Sequence, residues 1–486
     1  MNGKLLNTTR SICPICQALV DAKVYEADNR VYLEKYCLAH GKQTALISSD
    51  YHHYKSAHES IRPGQIQIQS ATRVESGCPS DCGLCPDHEQ HICMPVIEIN
   101  GSCNLNCPIC IADEKNREDL TLDQIKTMVK SLVASEGQID MLNVSGGEPT
   151  LHPQYFEIMS FLSSVEQITK ISVSTNGLTL LSCPDLLSFH KKNDILVSIQ
   201  LDGCRKEVYE KLRGLDLVDE KKAIVDLLVK NDHPFSLIAT IGKDINDTLE
   251  DVAFLLDLFF THDLILSLLF QPLVYSGRFA AKINVTDRLT IPDVIRLISE
   301  ASSGRTCPIC PEDFMPLPCC HANCFSLAHF LQFEEKQFIP FKRLLNKDRY
   351  IDTIKNRSFF GSDEDSFEQI RSAIFSMWID APDQCDCMKE TLQKSLYTIK
   401  HIIKDIDRVN EKTGKFNPKK TFDVASKKIK SIYIHHFMDA DTFDLTRVRR
   451  CCTIYPKPDG KFYPMCAYNN LYRNTTHPER THQKTK

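Results

Sequence analysis

An α/β fold of repeated strand–helix units is predicted for this 486-residue chain on three observations. Six short apolar runs, VIEIN, MLNVSG, KISVSTNG, ILVSIQLDG, FSLIATI and ILSLLFQP, lie between Val96 and about Ser303. They alternate with helical patterns such as LDQIKTMVKSLVASE and TLEDVAFLLDLFFTHD. The runs show little polar alternation, as expected of parallel strands covered on both faces. Finally, a cysteine-bearing loop follows the first run and a glycine-rich loop the second. In a parallel βα architecture these are strand C-termini, where active loops gather.

The elements divide the chain into five stretches. Residues 1–50 read as a small metal ribbon. CPIC at Cys13 and Cys16 and the later Cys37-Leu38-Ala39-His40-Gly41 are joined by alternation across Val24 to Leu33, turned at Asp28-Asn29. Such a hairpin brings Cys13, Cys16, Cys37 and His40 together around one Zn or Fe. Residues 51–95 form a cysteine-rich linker, and 96–303 the βα unit. Residues 304–475 hold CPICPEDFMPLPCCHANC, a helical charged stretch from about Asp348 to Lys430, and the tail motif RRCCTIYPKPDGKFYPMCAYN. Pro458-Asp459-Gly460 predicts a hairpin with Cys452 and Cys466 near its base. Residues 476–486 read as a disordered tail.

Composition narrows the function classes. With 42% hydrophobic residues the chain can bury a full core. A net charge of -5 gives it no general attraction to nucleic acid or anionic lipid. The Lys-rich EKTGKFNPKK to SKKIK reads as a solvated face. Val252 to Val274 is interrupted by Asp257, His262 and Asp263, so it reads as helix then strand and no transmembrane segment is expected. The N-terminus lacks the apolar core of a signal peptide, so the 22 cysteines are expected to be metal ligands in a reducing cytoplasm.

The chemistry centres on Cys103, Cys107 and Cys110 in GSCNLNCPICI. A C-x3-C-x2-C triplet on a loop after an apolar strand can hold three irons of a 4Fe-4S cube and leave the fourth without a protein ligand. A zinc knuckle with a remote fourth ligand is the competing reading. In Ser145-Gly146-Gly147-Glu148-Pro149, Gly146 and Gly147 permit close backbone approach and Glu148 offers a carboxylate to an ammonium group. This is what a site for S-adenosylmethionine beside such a cluster would look like.

A second triplet of the same spacing, Cys78, Cys82 and Cys85, precedes the βα unit, with Cys93 as a fourth ligand. Cys319 and Cys324, with Cys451 or Cys452 and Cys466, make another set. Both are candidates for auxiliary iron-sulfur clusters, one or two in all, against a reading as zinc sites or buried thiols. At least one member of each adjacent pair, Cys319-Cys320 and Cys451-Cys452, is expected to be a bystander. Cys183 and Cys204 read as core residues. Cys307, Cys310, Cys385 and Cys387 stay ambiguous, and His88, His91 and His321 are expected to support ligands rather than to be ligands.

On the cysteine loop and SGGEP the chain resembles the radical SAM superfamily. More narrowly, CPIC to CLAHG, GCPSDCGLCPDHEQHIC, DFMPLPCCHANC and FMDADTFDLTRVRRCCTIYPKPDGKFYPMCAYN resemble the group of class D radical SAM methyltransferases and tetraether lipid synthases. The resemblance implies a partial (βα)6 TIM-like barrel, a rubredoxin-like or zinc site and auxiliary clusters. It also implies reductive cleavage of S-adenosylmethionine to a 5'-deoxyadenosyl radical, fed by a flavodoxin- or ferredoxin-type donor. Ser174 and Asn176 in STNG, and Ser198 and Asp202 in SIQLDG, fall where members contact ribose and methionine. The expected reaction is C-alkylation of a small molecule or lipid. Methylation with a folate-type methylene donor comes first, lipid C–C coupling second and peptide maturation third. The extra CPIC at Cys307 and CDC at Cys385 depart from the pattern.

Overall fold

The computed structural model describes residues 3–112, 117–279, 285–357, 364–379 and 386–473; Cys385 and the 476–486 tail lie outside them. The N-terminal module is a four-stranded antiparallel sheet, β1 (Lys4–Ile12), β2 (Leu19–Ala27), β3 (Arg30–Cys37) and β4 (Gly41–Ser48), in sequence order. Asp28 and Asn29 join β2 to β3 with φ of 53° and 58°, the left-handed pair that a two-residue hairpin turn requires.

The six apolar runs form six neighbouring parallel strands: β5 (Met94–Glu98), β6 (Ile139–Ser145), β7 (Ile168–Thr175), β8 (Ile195–Gln200), β9 (Phe235–Ile241) and β10 (Ile265–Pro272). Every residue of β7 except Ser174 is buried, which accounts for its lack of alternation. The helix Leu122–Glu136 shows how the cover is built. Thr121 and Gln124 form a capping box at its start, and Ile125, Met128, Val129 and Leu132 make the buried stripe against the sheet. The stretch 249–272 is helix followed by strand. Among the described residues no helix is long and apolar enough to cross a membrane.

The region after residue 304 is not a separate appendage. It supplies β11 (Met315–Pro316), β12 (Phe325–Glu334), β13 (Gln337–Pro340), β14 (Ile429–His435), β15 (Thr453–Pro456) and β16 (Phe462–Pro464). The resulting sheet runs β11-β12-β14-β10-β9-β8-β7-β6-β5-β15-β16, with β13 on β12. β14 extends the parallel wall beyond β10, and β15 extends it beyond β5. The expected six-strand barrel is thus widened at both edges by strands that come late in the chain. The helices expected between about 348 and 430 are present, and the hairpin turns at Lys457–Gly460, Gly460 having a φ of +82°.

A buried ion pair fastens this late segment to the barrel. Arg288 and Asp439 are both fully buried, with Nη2 to Oδ2 at 2.6 Å. Asp439 also accepts from the Tyr275 and Thr442 backbone N–H groups, each at 3.1 Å. Burial opposes the charge on Asp439, but Arg288 outweighs it and holds the carboxyl below its ordinary range. The ribbon joins the same segment: Lys35 Nζ donates to the Ala440 carbonyl at 2.6 Å, and Thr9 Oγ1 donates to Asp444 at 2.6 Å.

Asp439→Ala strands a buried guanidinium and is expected to cost about 3–5 kcal/mol in chemical denaturation. Removing both charges, as Asp439→Ala with Arg288→Met, is expected to cost less than the single change. A double variant less stable than the single one would show that Arg288 does not depend on Asp439.

Candidate active site and metal centres

The cysteine loop leaves β5 and the glycine loop leaves β6, adjacent parallel strands whose C-terminal ends lie side by side. They are stitched together by backbone. Gly147 N donates to Asn100 O at 2.9 Å, Glu148 N to Ser102 O at 2.7 Å, and Asn100 Nδ2 to Glu148 O at 2.8 Å. A Cβ on Gly146 would stand 2.7 Å from Asn100 O, and one on Gly147 2.6 Å from Gly101 O. Both glycines are therefore demanded by close approach, and Gly146 also by its φ of +154°.

Cys103 is exposed and Cys107 and Cys110 half-buried. Desolvation, then Glu148 and the other two thiols, push the Cys103 thiol up to about 11, a shift that a cation bound among the thiols would oppose. Positive groups surround the loop. Arg213 contacts the Cys107 thiol, and Arg278 donates to Asn106 Oδ1 at 2.6 Å and to the Cys107 carbonyl at 3.2 Å. Thiolates on an open loop backed by arginines suit an anionic iron-sulfur cube, and the residues present fit that group. Glu98, at the end of β5, roots the loop. It is buried and accepts from Arg117 at 2.8 Å, Lys457 at 3.1 Å and Arg473 at 2.7 Å.

Three expected contacts are placed differently from the sequence reading. Glu148 is only 1% exposed. Its carboxylate accepts from Thr150 Oγ1 at 2.6 Å, Thr175 Oγ1 at 2.7 Å and Asn176 N at 2.8 Å, which ties β6 to β7 instead of facing outward to an ammonium group. Asp202 is fully buried and bound by Arg213 through Nε at 2.7 Å and Nη2 at 2.8 Å, and by Thr240 N at 2.9 Å. It positions the arginine that reaches Cys107. Asn176 spends its side chain on Asn104 and Leu178 N. Ser174 and Ser198 face the lumen of the barrel, Ser174 paired with Asn143 at 3.0 Å.

The ribbon cysteines converge. Cys13 Sγ and Cys37 Sγ each lie 3.5 Å from His40 Nδ1, and Cys16 Sγ lies 3.7 Å from Cys37 Sγ. All four ligand atoms fall within 4.8 Å of one another, the spread of a tetrahedral single-ion site. Burial pushes the Cys13 thiol up, but backbone N–H donors and Gln43 pull it down to about 6, favouring the thiolate that a metal needs.

The remaining cysteines sort into groups that spacing did not reveal. Cys78, Cys82 and Cys85 surround one small cavity with His88 and Arg449. Cys93, expected as their fourth ligand, instead contacts the thiols of Cys319 and Cys452. Cys320, left out of the expected set, lies with its Sγ 3.0 Å from that of Cys452 and also contacts Cys319. Cys324, Cys451 and Cys466 share a second cavity with Cys320 and Cys452, so Cys319 is the member of the expected set that points elsewhere. His91 Nε2 lies 3.6 Å from Cys93 Sγ, a supporting position. Cys307 and Cys310 converge on Arg343, at 3.3 and 3.4 Å, where a cation already stands. Cys204 faces Asp251, and Cys183 packs on the core.

Behind the loops the lumen holds a cavity of about 240 Å3. Apolar residues such as Leu269, Leu317 and Phe437 line it, together with serines that sequence reasoning passed over: Ser172, Ser236, Ser267 and Ser431. The signal was available in FSLIATI, ILSLLFQP and KSIYIH, each of which interrupts an apolar strand with one serine.

Residues 97–256 match the radical SAM superfamily model, and residues 5–49 match the HMPTM N-terminal zinc ribbon domain. The 7,8-dihydro-6-hydroxymethylpterin dimethyltransferase of Methanocaldococcus jannaschii is 28% identical over 497 residues, 96% of this chain and 94% of that one. The AdoMet-dependent heme synthase of Methanosarcina barkeri is 31% identical over 30% of this chain and 42% of its own. The GTP 3',8-cyclase of Alkaliphilus metalliredigens is 30% identical over 32% of this chain and 50% of its own. Those shorter matches cover a third of the chain or less, whereas the pterin enzyme is similar from the ribbon through the late cysteines. With its cysteine loop and its metal ribbon each inside a matching model, the chain carries a radical SAM domain fronted by a zinc ribbon domain.

Proposed function

We propose that this enzyme methylates a carbon of a pterin-like heterocycle, drawing the one-carbon unit from a folate-type methylene donor. The observation that carries the reading is the likeness to the pterin dimethyltransferase over nearly the full length of both chains. Cys103, Cys107 and Cys110 would hold the cluster, and the glycine loop packed against their loop would border the place for S-adenosylmethionine. Once bound, the pair would supply a 5'-deoxyadenosyl radical able to take hydrogen from carbon. The protein's part is placement and exclusion of water. The buried Asp202–Arg213 pair holds the cysteine loop, the Glu148 carboxylate locks the strand ends, and the apolar lumen keeps the substrate dry.

Cys78, Cys82 and Cys85, and the later group of Cys324, Cys451 and Cys466, are proposed as auxiliary iron-sulfur sites. Cys93, Cys319, Cys320 and Cys452 would supply further thiols between them. A flavodoxin- or ferredoxin-type protein would deliver electrons in a reducing cytoplasm. Lipid coupling is the second reading, because the lumen lining is largely apolar.

Anaerobically reconstituted enzyme, with reductant, S-adenosylmethionine, 7,8-dihydro-6-hydroxymethylpterin and 13C-methylene donor, is expected to give a pterin heavier by a labelled methyl group on mass spectrometry. Formation of 5'-deoxyadenosine with the pterin mass unchanged would defeat the methylation reading. Cys107→Ala should lower bound iron by about four per chain and abolish 5'-deoxyadenosine formation. Cys16→Ser should cost about one metal equivalent and leave iron-sulfur absorbance in place. A loss of that absorbance would show that the ribbon is not an independent metal site.

A further inference from the structure

Five neighbouring strands of the barrel carry a serine at one level. Ser174 on β7 is in register with Ser198 on β8, Ser198 with Ser236 on β9, Ser236 with Ser267 on β10, and Ser267 with Ser431 on β14. Across β12 the row ends at His329, the register partner of Ser431. All six side chains line the lumen cavity. Strands about 4.8 Å apart make this a ladder of hydroxyls roughly 19 Å long from Ser174 to Ser431.

Inward positions of βα barrels are ordinarily filled by bulky branched residues. Serine at five of them leaves the space unfilled and makes one wall of the cavity polar. The hydroxyls are only partly used by the protein. Ser267 Oγ donates to Ser236 Oγ at 2.8 Å, which leaves the Ser236 hydrogen to give. Ser174 pairs with Asn143, Ser431 contacts Tyr433, and Ser198 makes no side-chain hydrogen bond among the described residues. His329 takes part through Nδ1, 2.6 Å from the Tyr350 hydroxyl. No carboxylate is among the described residues that line the cavity.

We infer that Ser198, Ser236, Ser267 and Ser431, ending at His329, form the wall that selects the substrate: a small, flat heterocycle with hydrogen-bond donors and acceptors along its edge. The inference deepens the proposed methylation and rests on it for the choice of heterocycle. An acyl chain against this wall would leave the Ser198 hydroxyl and the Ser236 hydrogen without partners. A ring edge pairs with them, while Leu269, Leu317 and Phe437 supply apolar contact. The cavity volume of about 240 Å3 also suits one or two fused rings, being below the roughly 300–1,000 Å3 typical of sites for drug-sized ligands.

The test is anaerobic equilibrium dialysis of the full-length holoenzyme with three probes: 7,8-dihydro-6-hydroxymethylpterin, guanine and palmitate. Wild type is compared with Ser236→Ala/Ser267→Ala, and matched melting temperature and iron content establish that the variant is folded and loaded. Pterin affinity is expected to fall about ten-fold or more in the variant, two hydrogen bonds being lost. Should wild type and variant bind pterin equally, the ladder is overturned while the methylation reading stands. Binding of guanine but not pterin, weakened in the variant, would support the ladder and sink the pterin reading. If neither ring binds, or palmitate binds and gains affinity in the variant, the ladder is overturned. If the double variant does not fold, Ser198→Ala is measured against the same outcomes.

Discussion

The site depends on the backbone contact between the glycine loop and the cysteine loop. Gly147 N and Glu148 N donate to Asn100 O and Ser102 O, so the two loops move as one body. The contact is possible only because residues 146 and 147 have no Cβ. Glu148 carries the coupling to a third strand through Thr175 and Asn176, and Asp202 carries it to the cysteine loop through Arg213. Residues that read in the sequence as ligand contacts therefore hold rigid the frame on which a ligand would sit.

The barrel was legible because its strands are buried on both faces and its helices carry caps and apolar stripes, signals that are local in sequence. The ribbon was legible because a two-residue turn at Asp28-Asn29 sets the hairpin register and brings Cys13 and Cys16 to Cys37 and His40. What remained hidden depends on contacts between distant segments. β14 is a seven-residue strand beside a charged helical stretch, and nothing local shows that it pairs with β10. Cys93 was grouped with its neighbours in sequence, yet Met94 pairs with Thr453 and so delivers Cys93 to Cys452. The partners of Glu148 and Asp202 were hidden too, because a carboxylate at a strand end looks the same in sequence whether it points outward or is taken up by neighbours.

The late cysteines gain meaning from the sheet order. β12 lies near one edge of the wall and β15 near the other, and the thiols of Cys319 and Cys320, just before β12, meet those of Cys93 and Cys452, just before β5 and β15. Sulfur thus gathers where the two edges of the curved sheet approach one another. The lumen cavity is lined both by the serine row and by Cys93 and Cys452 of that seam.

Glu98 roots the first loop with three cations, two of which, Lys457 and Arg473, come from far along the chain. A nascent polypeptide still emerging from the ribosome has Cys103, Cys107 and Cys110 in hand long before those cations arrive. Until then the root of the loop lacks two of its three partners, and the catalytic end of the barrel is unfinished. A chain that ends before residue 457 leaves the buried Glu98 carboxylate with Arg117 alone, so the foot of this loop is completed only when the polypeptide is nearly finished.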